Sequence, residues 1–240
     1  MTIIDYPSPN FDARERAISH LVLHYTGMQS GQQAIDWLCN PASRVSAHYV
    51  IEEDGRIFRL VAEEKRAWHA GVSYWRGETG LNNSSIGIEI VNPGHEWGYH
   101  KFPKGQMAAV ISLCQDIVAR HRIRAENVIG HSDIAPSRKI DPGELFDWHK
   151  LSKAGVGLPI PKLKNIQGAT LIPGDTGEDV RSLQEALARL GYNTPLSAVY
   201  DRETEIIVTA FQRHFRQGKV DGIADAETRA SLNVVLAQIV

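Results

Sequence analysis

Residues 84–91, SSIGIEIV, alternate small or polar side chains with apolar ones, the period of two that marks a strand with a single buried face. Ile86, Ile88 and Ile90 then share the apolar side, and Glu89 projects from the opposite one, where a carboxylate can face an open cleft. HLVLHY (20–25) is a second apolar, β-rich run, and NVIGH (127–131) is a short buried run that ends on a histidine. SAHYVIEEDGRIFRLV (46–61) reads as two strands joined at Asp54-Gly55, a dipeptide that favours a tight antiparallel hairpin. If these runs share one sheet, His24, Glu89 and His131 lie in or at the ends of neighbouring strands.

Met107, Val110, Ile111, Cys114, Ile117 and Val118 recur at three- and four-residue spacing, which predicts a helix over 106–120 with one core face. A second helix is expected over 32–39. Beyond GVGLPIPKLKNIQGATL (155–171), where prolines, glycines and lysines break the pattern, an extended connector around 156–168 is expected. Val180, Leu183, Leu187 and Leu190 line one face of a following helix, with Thr176 and Asp179 as a capping-box start and Gly191 as its stop. Two more helices are expected over 204–216 and 226–238, capped by Asp201 and Asp225. Asp201-Arg-Glu-Thr and Asp225-Ala-Glu-Thr form a faint internal repeat. The fold class is therefore α/β: a central mixed β-sheet flanked by helices over 1–160, then a small three-helix domain over 168–240.

The 240 residues, 42% of them hydrophobic, can bury a sizeable core. With 26 basic against 28 acidic residues, nothing points to nucleic acid as a partner. Cys39 and Cys114 sit in apolar, helix-like surroundings and read as packed thiols, without disulfide or CxxC metal spacing. No window approaches the roughly 18 apolar residues of a membrane span, and MTIIDYPSPNFDARERAIS (1–19) lacks the basic start and apolar stretch of an export signal. That makes cytoplasmic the default location, with the cell envelope (periplasm) as the alternative if a leader has been removed. Oligomeric state is not legible.

The chemistry lies in His24, Glu89 and HSDIAPSRKID (131–141). Two neutral imidazoles and one carboxylate can hold zinc and still leave a fourth position for water, as a catalytic site requires. The prolines and glycine of APSRKIDPG (135–143) discourage regular structure, so this loop can curl back to deliver Asp141. Lys139 lies two residues earlier, on the same face of an extended segment. Taken singly, His24 and His131 read more readily as satisfied histidines at strand ends than as ligands, and an ordinary surface lysine is the alternative for Lys139.

LVLHYTG (21–27), VSAHYVIEEDGRIFRLV (45–61), AWHAG (67–71), SIGIEIVN (85–92) and GHSDIAPSRKIDPG (130–143) together resemble the type 2 N-acetylmuramoyl-L-alanine amidases, relatives in fold of peptidoglycan-recognition proteins and phage T7-type lysozyme. LIPGDTGEDVRSLQEALARLGY (171–192), AVYDRETEIIVTAFQRHF (198–215) and VDGIADAETRASL (220–232) resemble a three-helix peptidoglycan-binding domain. The resemblance implies zinc as cofactor, held by His24, His131 and Asp141, with Glu89 as general base and Lys139 as the cation beside the oxyanion. It places His69 of AWHAG near the substrate or behind a ligand, His69 being assigned here to substrate binding. His48 reads as structural or as a support behind a ligand rather than a ligand itself, and His95, His100, His121, His149 and His214 receive no role. Tyr74 and Trp75 of SYWRGETGLNN (73–83) either line the groove or cover the core. The implied reaction is hydrolysis of the amide between N-acetylmuramic acid and L-alanine in peptidoglycan or muropeptides. The alternatives are a non-catalytic peptidoglycan sensor and a zinc protease, which lacks the usual HExxH helix.

Overall fold

The structure is a computed structural model and describes residues 2–163 and 165–239. Its strands are β1 (Ile3–Asp5), β2 (Phe11–Ala13), β3 (His20–Tyr25), β4 (Tyr49–Ile51), β5 (Ile57–Arg59), β6 (Lys65–Ala67), β7 (Tyr74–Trp75), β8 (Glu78–Thr79), β9 (Ser85–Ile90) and β10 (Val128–Gly130). Its helices are α1 (Gly31–Leu38), α2 (Gly94–Trp97), α3 (Lys104–His121), the single turn α4 (His131–Ile134), α5 (Trp148–Lys153), α6 (Glu178–Leu190), α7 (Arg202–Phe215) and α8 (Ala226–Leu236). Six strands form the central sheet in the order β1-β5-β4-β9-β3-β10. The β4–β5 hairpin is antiparallel and the other pairings are parallel, so the sheet is mixed.

The alternation read from the sequence sorts the two faces. Leu21 and Leu23 of β3, Tyr49 and Ile51 of β4 and Ile86, Ile88 and Ile90 of β9 pack under α3, against Met107, Val110, Leu113, Cys114 and Ile117. Each such side chain contributes roughly 1.5–3 kcal/mol on leaving water, and this face anchors the sheet. The opposite face carries His24 beside Glu89 in strict register, with Gly87 two residues before Glu89. A Cβ on Gly87 would come within 2.4 Å of the His69 ring. Glycine is required there because an imidazole lies directly on the strand.

His48, just before β4, is fully buried. Its Nδ1 accepts the Gly87 N–H at 3.0 Å, which fixes a neutral ring with an unprotonated Nδ1. Burial, with the nearby Arg14 charge adding, pulls its pKa down to about 3. The unfolded chain, titrating near the ordinary value of about 6.5, binds a proton that the native state refuses. Stability is therefore full above pH 6.5 and falls as pH drops from there towards 3, by up to about 1.4 kcal/mol per unit for this group. Denaturant unfolding of chelated protein at pH 7 and pH 5 should show a shallower loss in His48→Asn than in the wild type. An unchanged slope would remove His48 from the account.

The C-terminal helices follow the expected pattern, with one correction at α6. Asp201 and Asp225 accept from the Thr204 and Thr228 N–H groups as N-caps, each worth about 1 kcal/mol. The capping box expected at Thr176 and Asp179 does not form. The chain enters α6 through Gly177 at φ 110°, with no side-chain cap, because Thr176 is committed to a β-bridge with Val199. The internal repeat proves structural. Buried Gln184 donates to Val199 O and Thr204 Oγ1, and buried Gln212 donates in the same way to Ile223 O and Thr228 Oγ1. Each glutamine ties the following loop and cap to its own helix.

Helices α6–α8 do not hang from a loose tether. Val156 and Leu158 at the start of the expected connector are buried. Val22, Ala70, Trp75, Ile129 and Ile134 share one continuous core with Leu183, Leu187, Leu190, Tyr192 and Phe211. Trp75 therefore covers the core rather than the groove. Its ring meets Tyr192 edge-on at 5.0 Å, and a Cβ on Gly191 would press within 2.6 Å of it.

Candidate metal centre and active site

His24 at the end of β3, His131 at the start of α4 and Asp141 in the loop after α4 converge at one buried point. His24 Nδ1 lies 2.9 Å from His131 Nδ1 and 3.0 Å from Asp141 Oδ2, and His131 Nδ1 lies 3.1 Å from the same oxygen. Strand pairing of β3 with β10 supplies the rigid base. The loop closes because the Ser132 N–H donates to Asp141 O at 2.9 Å.

The surrounding hydrogen bonds decide which nitrogens carry protons. Ser85 Oγ donates to Leu81 O at 2.6 Å, so it can only accept from His69 Nε2 at 3.1 Å. His69 Nδ1 is then unprotonated and accepts from His24 Nε2 at 3.0 Å. That leaves His24 Nδ1 as a bare lone pair directed at the convergence point. His131 Nε2 faces Ala70 O at 3.2 Å, a carbonyl that can only accept, so His131 Nδ1 is likewise bare. Three lone pairs within 3.1 Å of one another repel unless a cation lies between them, so this donor set could hold a metal ion. Burial pulls the His24 pKa down to about 4, so the ring is neutral at pH 7.

His69, assigned from sequence to substrate binding, has both ring nitrogens committed to His24 and Ser85. Its ring backs His24, and the residue also lines the cleft. Outer partners of this kind typically carry about 10- to 100-fold in metal affinity. His69→Ala should weaken metal binding by that amount in a chelator competition, and wild-type affinity would sink this role.

A cleft of about 510 Å³ opens over the centre, bordered by Tyr25, His95, Glu89, Lys139 and Arg138. Glu89 Oε2 is sealed from water and has no hydrogen-bond partner among the described residues. Burial raises its pKa well above the usual range, with Asp141 adding and Lys139 opposing. Lys139 is half-buried. Arg138, which the sequence did not single out, donates to Ala70 O and Val72 O and holds the AWHAG segment against the loop. Ser85 was missed as well, although the alternation of β9 already placed it on the Glu89 face.

The sequence profile described as N-acetylmuramoyl-L-alanine amidase matches residues 14–144, and that of a peptidoglycan binding domain matches 176–232. The N-acetylmuramoyl-L-alanine amidase AmiD of Escherichia coli (strain K12) is 39% identical over 253 positions, covering 98% of this chain and 90% of that protein. The structure of E. coli AmiD, solved with the substrate anhydro-N-acetylmuramic acid-L-Ala-D-gamma-Glu-L-Lys, aligns at TM-score 0.79 with 38% identity, over 95% of this chain and 92% of that one. AmpDh3 from Pseudomonas aeruginosa, in complex with anhydromuramic pentapeptide, aligns at TM-score 0.76 with 33% identity, over 93% and 92% of the two chains. With both profiles matched and a relative 39% identical over nearly the whole chain, the chain belongs to the N-acetylmuramoyl-L-alanine amidase family and carries a peptidoglycan-binding domain after its catalytic part.

Proposed function

We propose that this chain hydrolyses the amide between N-acetylmuramic acid and L-alanine in muropeptides and peptidoglycan, with zinc held by His24, His131 and Asp141. The observation that carries this reading is the convergence of three lone pairs beside a cleft-lining carboxylate, Glu89, whose Oε2 is buried without a partner. Zinc bonds to nitrogen and oxygen of about 2.0–2.1 Å set tetrahedral edges near 3.3 Å. The spacings here, 2.9–3.1 Å, fit that geometry after a small outward adjustment. Two histidines and one carboxylate leave a fourth position for water and substrate, as hydrolytic zinc sites do.

Bound there, zinc supplies Lewis acidity, making water more acidic at neutral pH and drawing electrons from a carbonyl oxygen. Glu89 takes the proton of the attacking water as the new C–O bond forms, and returns it to the alanine nitrogen as the C–N bond breaks. A carboxylate removed from water and placed near Asp141 binds a proton more tightly than an exposed one, which suits both transfers. Lys139, on the cleft wall, offsets the negative charge that develops on the carbonyl oxygen. The products are the muramyl carboxylate and a free stem peptide beginning with L-alanine. AmiD and AmpDh3 are both described with anhydromuramyl peptides, which makes 1,6-anhydro muropeptides the first substrates to test.

Mass spectrometry of defined muropeptides, anhydro and intact, should show release of the stem peptide with zinc and none after chelation. Binding without release would overturn the reading in favour of a sensor. Cleavage of ordinary peptides lacking muramic acid would favour a protease.

A further inference from the structure

The single turn α4 carries the ligand His131 on one side and a fully buried carboxylate, Asp133, on the other. Asp133 faces away from the metal centre, and three donors converge on it. The Gly130 N–H donates to Oδ2 at 2.8 Å, His214 Nδ1 to the same oxygen at 2.8 Å, and the Tyr192 hydroxyl to Oδ1 at 2.6 Å. Tyr192 follows α6 and His214 lies on α7, so two of the three donors come from the peptidoglycan-binding bundle. Both are themselves clamped. The His214 ring stacks on Trp148 at 3.7 Å, and the Tyr192 ring meets Trp75 edge-on at 5.0 Å. Each is buried, and each leaves an orphaned polar atom inside the protein if its partner is lost.

The same turn is joined to the second ligand through the Ser132 N–H bond to Asp141 O. A displacement of α4 therefore shifts His131 and Asp141 relative to His24, which is fixed separately by β3 and His69. We propose that the peptidoglycan-binding bundle is a structural part of the metal centre: Tyr192 and His214 act as positioning residues that hold the ligand-bearing turn through Asp133. This rests on the metal assignment made above and adds that metal affinity depends on side chains of the second unit, which contain no ligand.

The test uses the full chain, with zinc alone titrated against a chromophoric chelator and the absorption spectrum of the cobalt-substituted protein as a second readout. Tyr192→Phe and His214→Leu should each weaken zinc binding at least about 10-fold, the lower end for residues that orient ligands, and should alter the cobalt spectrum. His214→Asn, whose amide can donate from near the position of Nδ1, should restore most of the affinity. Gln217→Ala removes a different contact between the units, to Glu144 O and Phe146 O. It should lower Tm without changing zinc affinity, which separates positioning from general destabilisation. Wild-type affinity and spectrum in folded Tyr192→Phe and His214→Leu would overturn the proposal while leaving the metal site standing. A wild-type protein that does not bind zinc would overturn both.

Discussion

Glu89→Gln should retain zinc at wild-type affinity and lose about 10²- to 10⁴-fold in kcat, the range for removing a positioned general base. Glutamine keeps the shape of the side chain and removes its ability to take a proton. None of the three ligands hydrogen-bonds to Glu89, so their geometry has no reason to change. Stability should hold or rise. The wild-type protein buries Oε2 without a partner and raises the pKa of the group by burial, with Asp141 adding and Lys139 opposing. That arrangement costs folding energy and is tolerated where activity needs it. Chelator competition, kcat on a muropeptide and Tm together decide the matter. Turnover near wild type would remove Glu89 from the chemistry, and loss of zinc would recast it as a support of the metal.

Much of this site was legible because strands impose a period of two. SSIGIEIV placed Glu89 opposite its isoleucines, and the parallel pairing of β3 with β9 set it level with His24. The helix read at 106–120 runs over Lys104–His121, and its apolar stripe lies on the sheet as its spacing required. What stayed hidden depends on tertiary proximity rather than pattern. His214 received no role because nothing within QRHFR reveals that its ring lies against Trp148 and an aspartate 81 residues away. His95 is another such case, bridging Tyr25 and Glu144 at the rim of the cleft. The proline- and glycine-rich stretch correctly marked an end of regular structure. It could not show that the helices beyond it return to bury Trp75 and Ile134. Composition reports how a segment is built, whereas the shared core is decided by the faces that segment presents to the rest of the chain.

His131→Ala should abolish turnover and reduce zinc affinity on the order of 100-fold. Structural zinc sites bind with about 10–16 kcal/mol. Divided over four ligands, that is roughly 2.5–4 kcal/mol for each, on the order of 100-fold since 1.4 kcal/mol is tenfold. The clearest signature lies in stability rather than activity. If zinc binds the folded arrangement of His24, His131 and Asp141 and not the unfolded chain, at 1,000 times Kd it adds about 4 kcal/mol to the wild type. Chelation removes that contribution and leaves three lone pairs crowded within 3.1 Å of one another. In His131→Ala the crowding is relieved and the metal contribution is already lost. The wild-type Tm should fall sharply on adding chelator, and the variant should be nearly indifferent to it. If both proteins respond equally, the metal is not held where the three side chains meet, and zinc-dependent hydrolysis at this centre fails with it.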